Sequence, residues 1–108
     1  MDKDIYTYRI TWSEDDKEYV GLCLEFPGLS WLAKSPEAAL SGIRKMVASA
    51  VEDMKKCHEK IPEPLATRAY SGKFMLRLPP SVHRQLVIQA AEEGVSLNRL
   101  ISARLLGL

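Results

Sequence analysis

The seven residues Lys73–Pro79, KFMLRLP, limit what this chain can fold into more than any other stretch of the sequence. The pattern is that of a short β-strand, flanked by Gly72 and Pro80. A single strand leaves backbone N–H and C=O groups unpaired on both edges, and even an isolated hairpin is marginal in water. This strand therefore needs a pairing partner, and the sequence near it offers none.

The residues after this strand have the spacing of two helices. Pro80 suits the start of the first helix, and Gly94 suits its C-terminal cap. Ser96 is placed to cap the second helix. Each helix carries one apolar stripe, made of Val82, Leu86 and Ala90 in the first and Leu97, Leu100, Ile101 and Leu105 in the second.

The back of the chain thus holds a strand, a helix, a turn and a second helix in about forty residues. This size is near the lower limit for a domain that folds alone. Two chains that pair this strand about a two-fold axis solve the problem, because four helices then bury one face of an antiparallel ribbon. Alternation along the strand predicts two sets of side chains. Those that point inward are Phe74, Leu76 and Leu78, and those that point outward are Lys73, Met75 and Arg77.

A two-stranded ribbon fits the major groove of B-DNA. We expect Arg77 to bond a guanine edge, Lys73 to bond a guanine or a phosphate, and Met75 to meet a thymine methyl group. The start of the last helix offers backbone N–H groups to a DNA phosphate, and a basic side chain lies beside them. The residues expected at the phosphate are Ser96, Leu97, Asn98 and Arg99.

Residues 73 to about 106 resemble a ribbon-helix-helix DNA-binding domain of the Arc/MetJ type. The strand that ends in Pro and the G-V-S-L-N turn carry the resemblance. It implies base contacts from Lys73, Met75 and Arg77, although the central position of that family is usually polar. Two alternatives stay open: a helix-turn-helix around Gly94, and an edge strand whose basic residues only prevent aggregation.

The front of the chain predicts a small sheet crossed by one helix. Strands are expected at 5–13, 18–26 and 30–33, with a polar turn between the first two. A helix is expected from Pro36 to about Lys60, capped by Ser35. Its apolar stripe recurs at steps of three and four residues, namely Leu40, Ile43, Val47, Ala50, Val51 and Met54.

Charge divides the chain of 108 residues into an acidic front and a basic back. The net charge is +1, yet residues 1–37 carry −4 (eight acids, four bases) and residues 61–108 carry +3 (three acids, six bases). This asymmetry indicates two different partners. The acids expected to meet a basic partner are Glu14, Asp15, Asp16, Glu18 and Glu25, and the competing interpretation is a solvated turn.

The front half is similar to the N-terminal domain of HicB antitoxins. The marks are the acidic hairpin, G-x-x-x-E-F-P-G-L from Gly21 to Leu29, and S-P-E-A-A-L from Ser35. The resemblance implies an α+β fold: a small antiparallel three-stranded sheet with one long helix, a reduced RNase H-like domain, followed by a ribbon-helix-helix domain. The expected division is 1–60 for toxin binding, 61–72 as linker and 73–108 for DNA binding.

The same resemblance implies the function of a type II antitoxin. The front domain would bind and inhibit a HicA-like toxin, an RNase that degrades mRNA, and the back domain would bind operator DNA and repress its own operon. We expect a homodimer through the C-terminal ribbon and a tetramer if the front domains also associate. The alternative is a stand-alone transcriptional regulator whose front domain senses a ligand or only oligomerises.

Catalysis is not expected. An RNase H-like nuclease needs several carboxylates that converge on two metal ions, and Glu14, Asp15 and Asp16 cluster in a turn instead. Cys23 and Cys57 have no companions at metal-ligand spacing, so we expect neither a metal nor any cofactor. The sequence also has no apolar run long enough to cross a membrane, and a cytoplasmic protein without membrane contact is expected.

Overall fold

A computed structural model describes residues 4–107 of the chain. It divides into two compact units, Met1–Tyr70 and Ser71–Leu108. The secondary structure is α+β, with a three-stranded antiparallel sheet and three helices, which confirms the predicted fold class at that level. Among the described residues, no helix combines the length and apolar character that crossing a membrane requires.

The sheet is built from three consecutive strands. They are β1 (Tyr8–Ser13), β2 (Glu18–Cys23) and β3 (Ser30–Ala33), in the spatial order β1-β2-β3. Both pairs are antiparallel, and Gly21 at the centre of β2 lies opposite Ile10 on one side and Trp31 on the other. The predicted strands therefore form, but the first two are shorter than expected.

A side chain ends the β1–β2 ladder early. The N–H of Leu24 still donates to the carbonyl of Thr7 at 2.9 Å, as the ladder requires. The N–H of Thr7, however, donates to Oε1 of Glu25 at 2.9 Å. This carboxylate takes the place of the next backbone carbonyl, so regular pairing stops at Tyr8 and Cys23.

Helix α1 (Pro36–Lys56) begins as predicted and ends four residues early. Ser35 accepts a hydrogen bond from the N–H of Ala38 at 3.1 Å, and Pro36 occupies the first turn. At the other end, His58 adopts a left-handed φ of 57° and the N–H of Glu59 donates to the carbonyl of Met54. This is the Schellman arrangement, which terminates a helix by satisfying its last carbonyls.

The core of the first unit lies between α1 and one face of the sheet. Its fully or nearly buried side chains are Cys23, Phe26, Ile43 and Val47. Two glycines allow the close approach: a Cβ on Gly21 would lie 2.6 Å from the carbonyl of Ala39, and one on Gly42 would overlap the ring of Trp31. Trp31 therefore packs on α1 beside Gly42.

The second unit contains α2 (Pro80–Glu93) and α3 (Leu97–Leu105). Both helix boundaries agree with the sequence: Gly94 caps α2 in the left-handed region at φ 71°, and Ser96 accepts a hydrogen bond from the N–H of Arg99 at 3.0 Å. Ala90 and Leu100 are its buried apolar residues.

The expected strand at 73–79 is not formed within the single chain. Residues 73–79 carry neither strand nor helix structure and are exposed. Phe74 and Met75 keep 77% and 80% of their surface in contact with solvent. The physical reason is that a β-strand requires a hydrogen-bonding neighbour, and residues 4–107 of one chain supply none for this segment.

Candidate functional site

The acidic turn, residues 14–17, joins β1 to β2. Lys17 adopts a left-handed φ of 54° and forms an ion pair with Glu14, whose other oxygen accepts a hydrogen bond from Nε1 of Trp12 at 2.8 Å. These two hydrogen bonds, first that of Lys17 and then that of Trp12, lower the pKa of the Glu14 carboxyl. Asp16 accepts from Oγ of Ser13 at 2.8 Å. The turn is thus an ordered, exposed cluster of carboxylates.

Glu18 lies next to this turn, at the start of β2. It is partly buried, and its Oε2 is 3.1 Å from Nζ of Lys34. The structure therefore brings together four of the five acids predicted to bind a partner: Glu14, Asp15, Asp16 and Glu18.

Glu25 lies elsewhere. It follows the opposite end of β2, roughly 20 Å from Glu18 at the usual rise of a strand, and only 8% of its surface is exposed. Its carboxylate accepts hydrogen bonds from the N–H of Thr7, the hydroxyl of Thr7 at 3.0 Å and the N–H of Leu65 at 2.8 Å. The structure places this acid inside the first unit, away from the acidic turn.

The hydrogen bonds of Glu25 keep it ionised despite burial. Burial alone raises the pKa of this carboxyl. The hydrogen bonds, led by those from the backbone N–H groups of Leu65 and Thr7, together have the larger, opposite effect, so the net pKa is lowered to about 2. Sequence reasoning missed this role because burial and the two N–H donors are set by tertiary structure. The one signal in the sequence was an acid inside an apolar stretch, LCLEF.

Residues 61–70, expected to belong to the linker, are part of the first unit and pack against the rest of it. The hydroxyl of Tyr6 donates to the carbonyl of Pro62 at 2.8 Å, and Leu65 bonds Glu25. The boundary between the two compact units falls between Tyr70 and Ser71.

A cleft of about 530 Å³ opens in the first unit between the N-terminal segment, α1 and residues 61–67. Asp4 lines this cleft. Its carboxylate accepts a hydrogen bond from the hydroxyl of Tyr8 and another from Nε of Arg44, both at 2.6 Å. The pKa of Tyr8 is raised by burial and by its hydrogen bond to Asp4. The other lining side chains are mainly apolar and include Tyr6, Val47, Val51, Ile61 and Pro64.

A second groove, of about 600 Å³, lies in the second unit. Phe74, Leu76 and Leu78, the three residues expected to point inward from the ribbon, line it. Leu86 from α2 and three residues of α3, Leu97, Ile101 and Leu105, also line it. A groove lined by both apolar and polar side chains, the latter including His83, Asn98 and Ser102, is thus bordered by the segment whose backbone belongs to no strand.

The residues expected to contact DNA bases have different positions at this groove. Lys73 lines it, whereas Met75 and Arg77 are exposed and do not belong to the lining. At the start of α3, the Ser96 hydroxyl satisfies the N–H of Arg99, so that Leu97 and Asn98 carry the N–H groups without intrahelical acceptors. The side chains of Asn98 and Arg99 are exposed beside them.

Comparison with known proteins finds similarity to one protein family over part of the chain. The sequence model of the HicB family matches residues 55–105, just under half of the chain, from the last residues of α1 through α3. At the level of the family, this match indicates an antitoxin role and a toxin partner. Neither the curated proteins nor the solved structures searched gave a match.

Proposed function

We propose that this chain is the antitoxin of a type II toxin-antitoxin system. It binds and inhibits a HicA-like RNase through its first unit, represses its own operon through its second unit, and catalyses no reaction itself. The observation that carries the proposal is the HicB family match over residues 55–105, which includes both helices of the second unit.

The acidic turn is the proposed contact for a basic toxin. Glu14, Asp15 and Asp16 are exposed, and Glu18 continues the cluster onto β2. Complementary potential accelerates encounter between oppositely charged proteins and selects against acidic competitors. Glu25 is left out of this surface because it is buried and its oxygens already accept internal hydrogen bonds.

The second unit is proposed to act as a ribbon-helix-helix dimer. A second copy that pairs with residues 73–79 would satisfy their backbone groups and cover Phe74, Leu76 and Leu78, which are 77%, 53% and 37% exposed in one chain. Lys73, Met75 and Arg77 would then face the major groove. The start of α3 would hold a phosphate through the N–H groups of Leu97 and Asn98, with Ser96 as cap and Arg99 beside them.

Copurification with the product of the adjacent reading frame tests the toxin half. We expect a small basic protein that binds this chain and whose RNase activity disappears in the complex. Replacing the three turn acids by Glu14→Gln, Asp15→Asn and Asp16→Asn should slow association at least tenfold at low salt and much less at high salt. The matched control, Glu52→Gln with Asp53→Asn and Glu59→Gln, removes three acids from the end of α1 and its cap. Absence of any such association would contradict the antitoxin role.

A second candidate function is a stand-alone regulator whose first unit senses a ligand. The cleft of about 530 Å³ favours it, because a mainly apolar cleft with a few polar groups is the usual form of a small-molecule site. An adjacent gene without toxin activity, together with intact operator binding, would select this function over the first.

A further inference from the structure

The cleft of the first unit contains an arginine that is held in place but only partly used. Nε of Arg44 donates to one oxygen of the Asp4 carboxylate, and the hydroxyl of Tyr8 donates to the other. Both oxygens of Asp4 are therefore occupied, and the guanidinium balances its charge. The two terminal nitrogens of Arg44 form no hydrogen bond among residues 4–107, and the side chain is half-exposed. Arg44 thus keeps donors available for a ligand.

The rest of the cleft is mainly apolar and carries no unbalanced charge. Along α1 the lining runs from Arg44 to Lys55, which lies about 16 Å farther along the helix and three turns on, so both face the cleft. Nζ of Lys55 is 3.7 Å from Oε2 of Glu52, which leaves this end neutral. The apolar walls between the two ends include Val47, Val51, Ile61 and Pro64.

We propose that this cleft binds a small amphipathic carboxylate, whose apolar body lies along Val47 and Val51 and whose carboxylate meets the terminal nitrogens of Arg44. The outer edge of a guanidinium matches a planar carboxylate in bidentate fashion, and Asp4 already fixes the side chain through Nε. One cation with unused donors suits a single negative charge, whereas a phosphate group carries close to two. A cationic ligand is disfavoured, because the two acids among the described residues of the lining, Asp4 and Glu52, are both in ion pairs.

Ligand binding here goes beyond the antitoxin function and rests only on the cleft that favours the second candidate function. The volume of about 530 Å³ is in the usual range of small-molecule sites. The walls opposite α1 come from the segment before β1 and from residues 61–67, and Glu25 joins these two segments through Thr7 and Leu65. A bound carboxylate therefore holds both segments on the helix and stabilises the folded first unit.

Titration of the full chain with octanoate tests the ligand class, and octylammonium is the matched cation with the same alkyl chain. By calorimetry we expect octanoate to bind with a Kd of about 1 mM or lower, and octylammonium to bind at least about tenfold more weakly. Amide NMR should show shifts at residues 44–55 and 61–67, which separates this cleft from the groove of the second unit. Toxin and DNA are absent from the experiment, so a negative result removes the ligand and leaves the antitoxin proposal to its own copurification test.

Three variants locate the contact. Arg44→Gln should weaken octanoate binding at least about tenfold, and so should Ala48→Phe, which fills part of the cleft from an exposed position of α1. Lys45→Gln removes a neighbouring cation that does not line this cleft and should leave the Kd unchanged.

Urea unfolding checks that each variant is folded. Should Arg44→Gln unfold because Asp4 loses its partner, Ala48→Phe decides, since it leaves that ion pair in place. No binding of octanoate at about 10 mM, equal affinity for octylammonium, NMR shifts confined to residues 72–105, or unchanged binding in Ala48→Phe would each overturn the proposal.

Discussion

Glu25 and Leu65, forty residues apart, are joined by a hydrogen bond of 2.8 Å from the backbone N–H of Leu65 to Oε2 of the Glu25 carboxylate. The same carboxylate binds Thr7 through its N–H and its hydroxyl. One buried acid therefore ties the end of β2 to the segment before β1 and to residues 61–70. It also marks the point where regular pairing of β1 with β2 stops.

Replacing this acid by its amide should destabilise the first unit. In Glu25→Gln one side-chain oxygen becomes an NH₂ group, which faces an N–H donor of Thr7 or Leu65 and leaves it unpaired. We expect a loss of about 2–3 kcal/mol in the free energy of unfolding, measured with urea. Glu59→Gln, exposed and with the same change of charge, should cost less than about 0.5 kcal/mol. Equal effects from the two variants would show that the Glu25 hydrogen bonds do not stabilise the fold.

The pH dependence of stability should carry the signature of the same residue. The folded pKa of Glu25 is about 2, below its ordinary value of 4.5, so its stabilisation is complete above about pH 5 and is lost as the pH falls toward 2. Urea unfolding between pH 6 and pH 2.5 should therefore show a shallower decline in Glu25→Gln than in the wild type. If the free energy of unfolding fell equally with pH in Glu25→Gln and in the wild type, carboxylates other than Glu25 would account for the loss of stability in acid.

The packing of β2 on α1 should not tolerate a methyl group at Gly21. A Cβ there would lie 2.6 Å from the carbonyl oxygen of Ala39, and backbone atoms move less readily than a side chain. We expect Gly21→Ala to cost about 1–3 kcal/mol of stability through displacement of the helix. Gly28→Ala is the control, because nothing lies within 4 Å of its Cβ position. A neutral Gly21→Ala would mean that the helix sits farther from the sheet.

Arg77 should determine sequence-specific DNA binding. We expect Arg77→Ala to weaken binding to the operon's own promoter by about 1–3 kcal/mol for each base edge that the guanidinium no longer reads, in a gel-shift assay. Arg84→Ala removes the same charge from the exposed surface of α2 and should weaken binding to all sequences alike. Unchanged promoter affinity in Arg77→Ala would exclude Arg77 from base recognition.

Local signals in the sequence predict much of this fold. Ser35, Gly94 and Ser96 mark helix boundaries because capping depends on the cap residue and its immediate neighbours. The apolar pattern predicts the end of α1 four residues too late, because the helix is ended by His58 in a left-handed conformation that glycine adopts more often.

Features that depend on distant residues were less accessible from the sequence. The sequence pattern groups Glu25 with the acidic turn, because no neighbouring residue indicates that Thr7 and Leu65 donate hydrogen bonds to it. For residues 73–79 the local pattern does predict a structure, namely a strand. The described residues of a single chain, however, contain no partner strand for it. Its interpretation depends on a second copy.

Amide hydrogen exchange of residues 74–78, measured as a function of chain concentration, tests the paired ribbon most directly. In one chain the side chains of this segment are exposed and its backbone belongs to no strand. A ribbon formed by two copies predicts slow exchange at micromolar concentration that becomes faster on dilution as the dimer dissociates. Exchange at the rate of an unstructured peptide, unchanged up to about 100 µM, would contradict the ribbon and the DNA-binding role that rests on it.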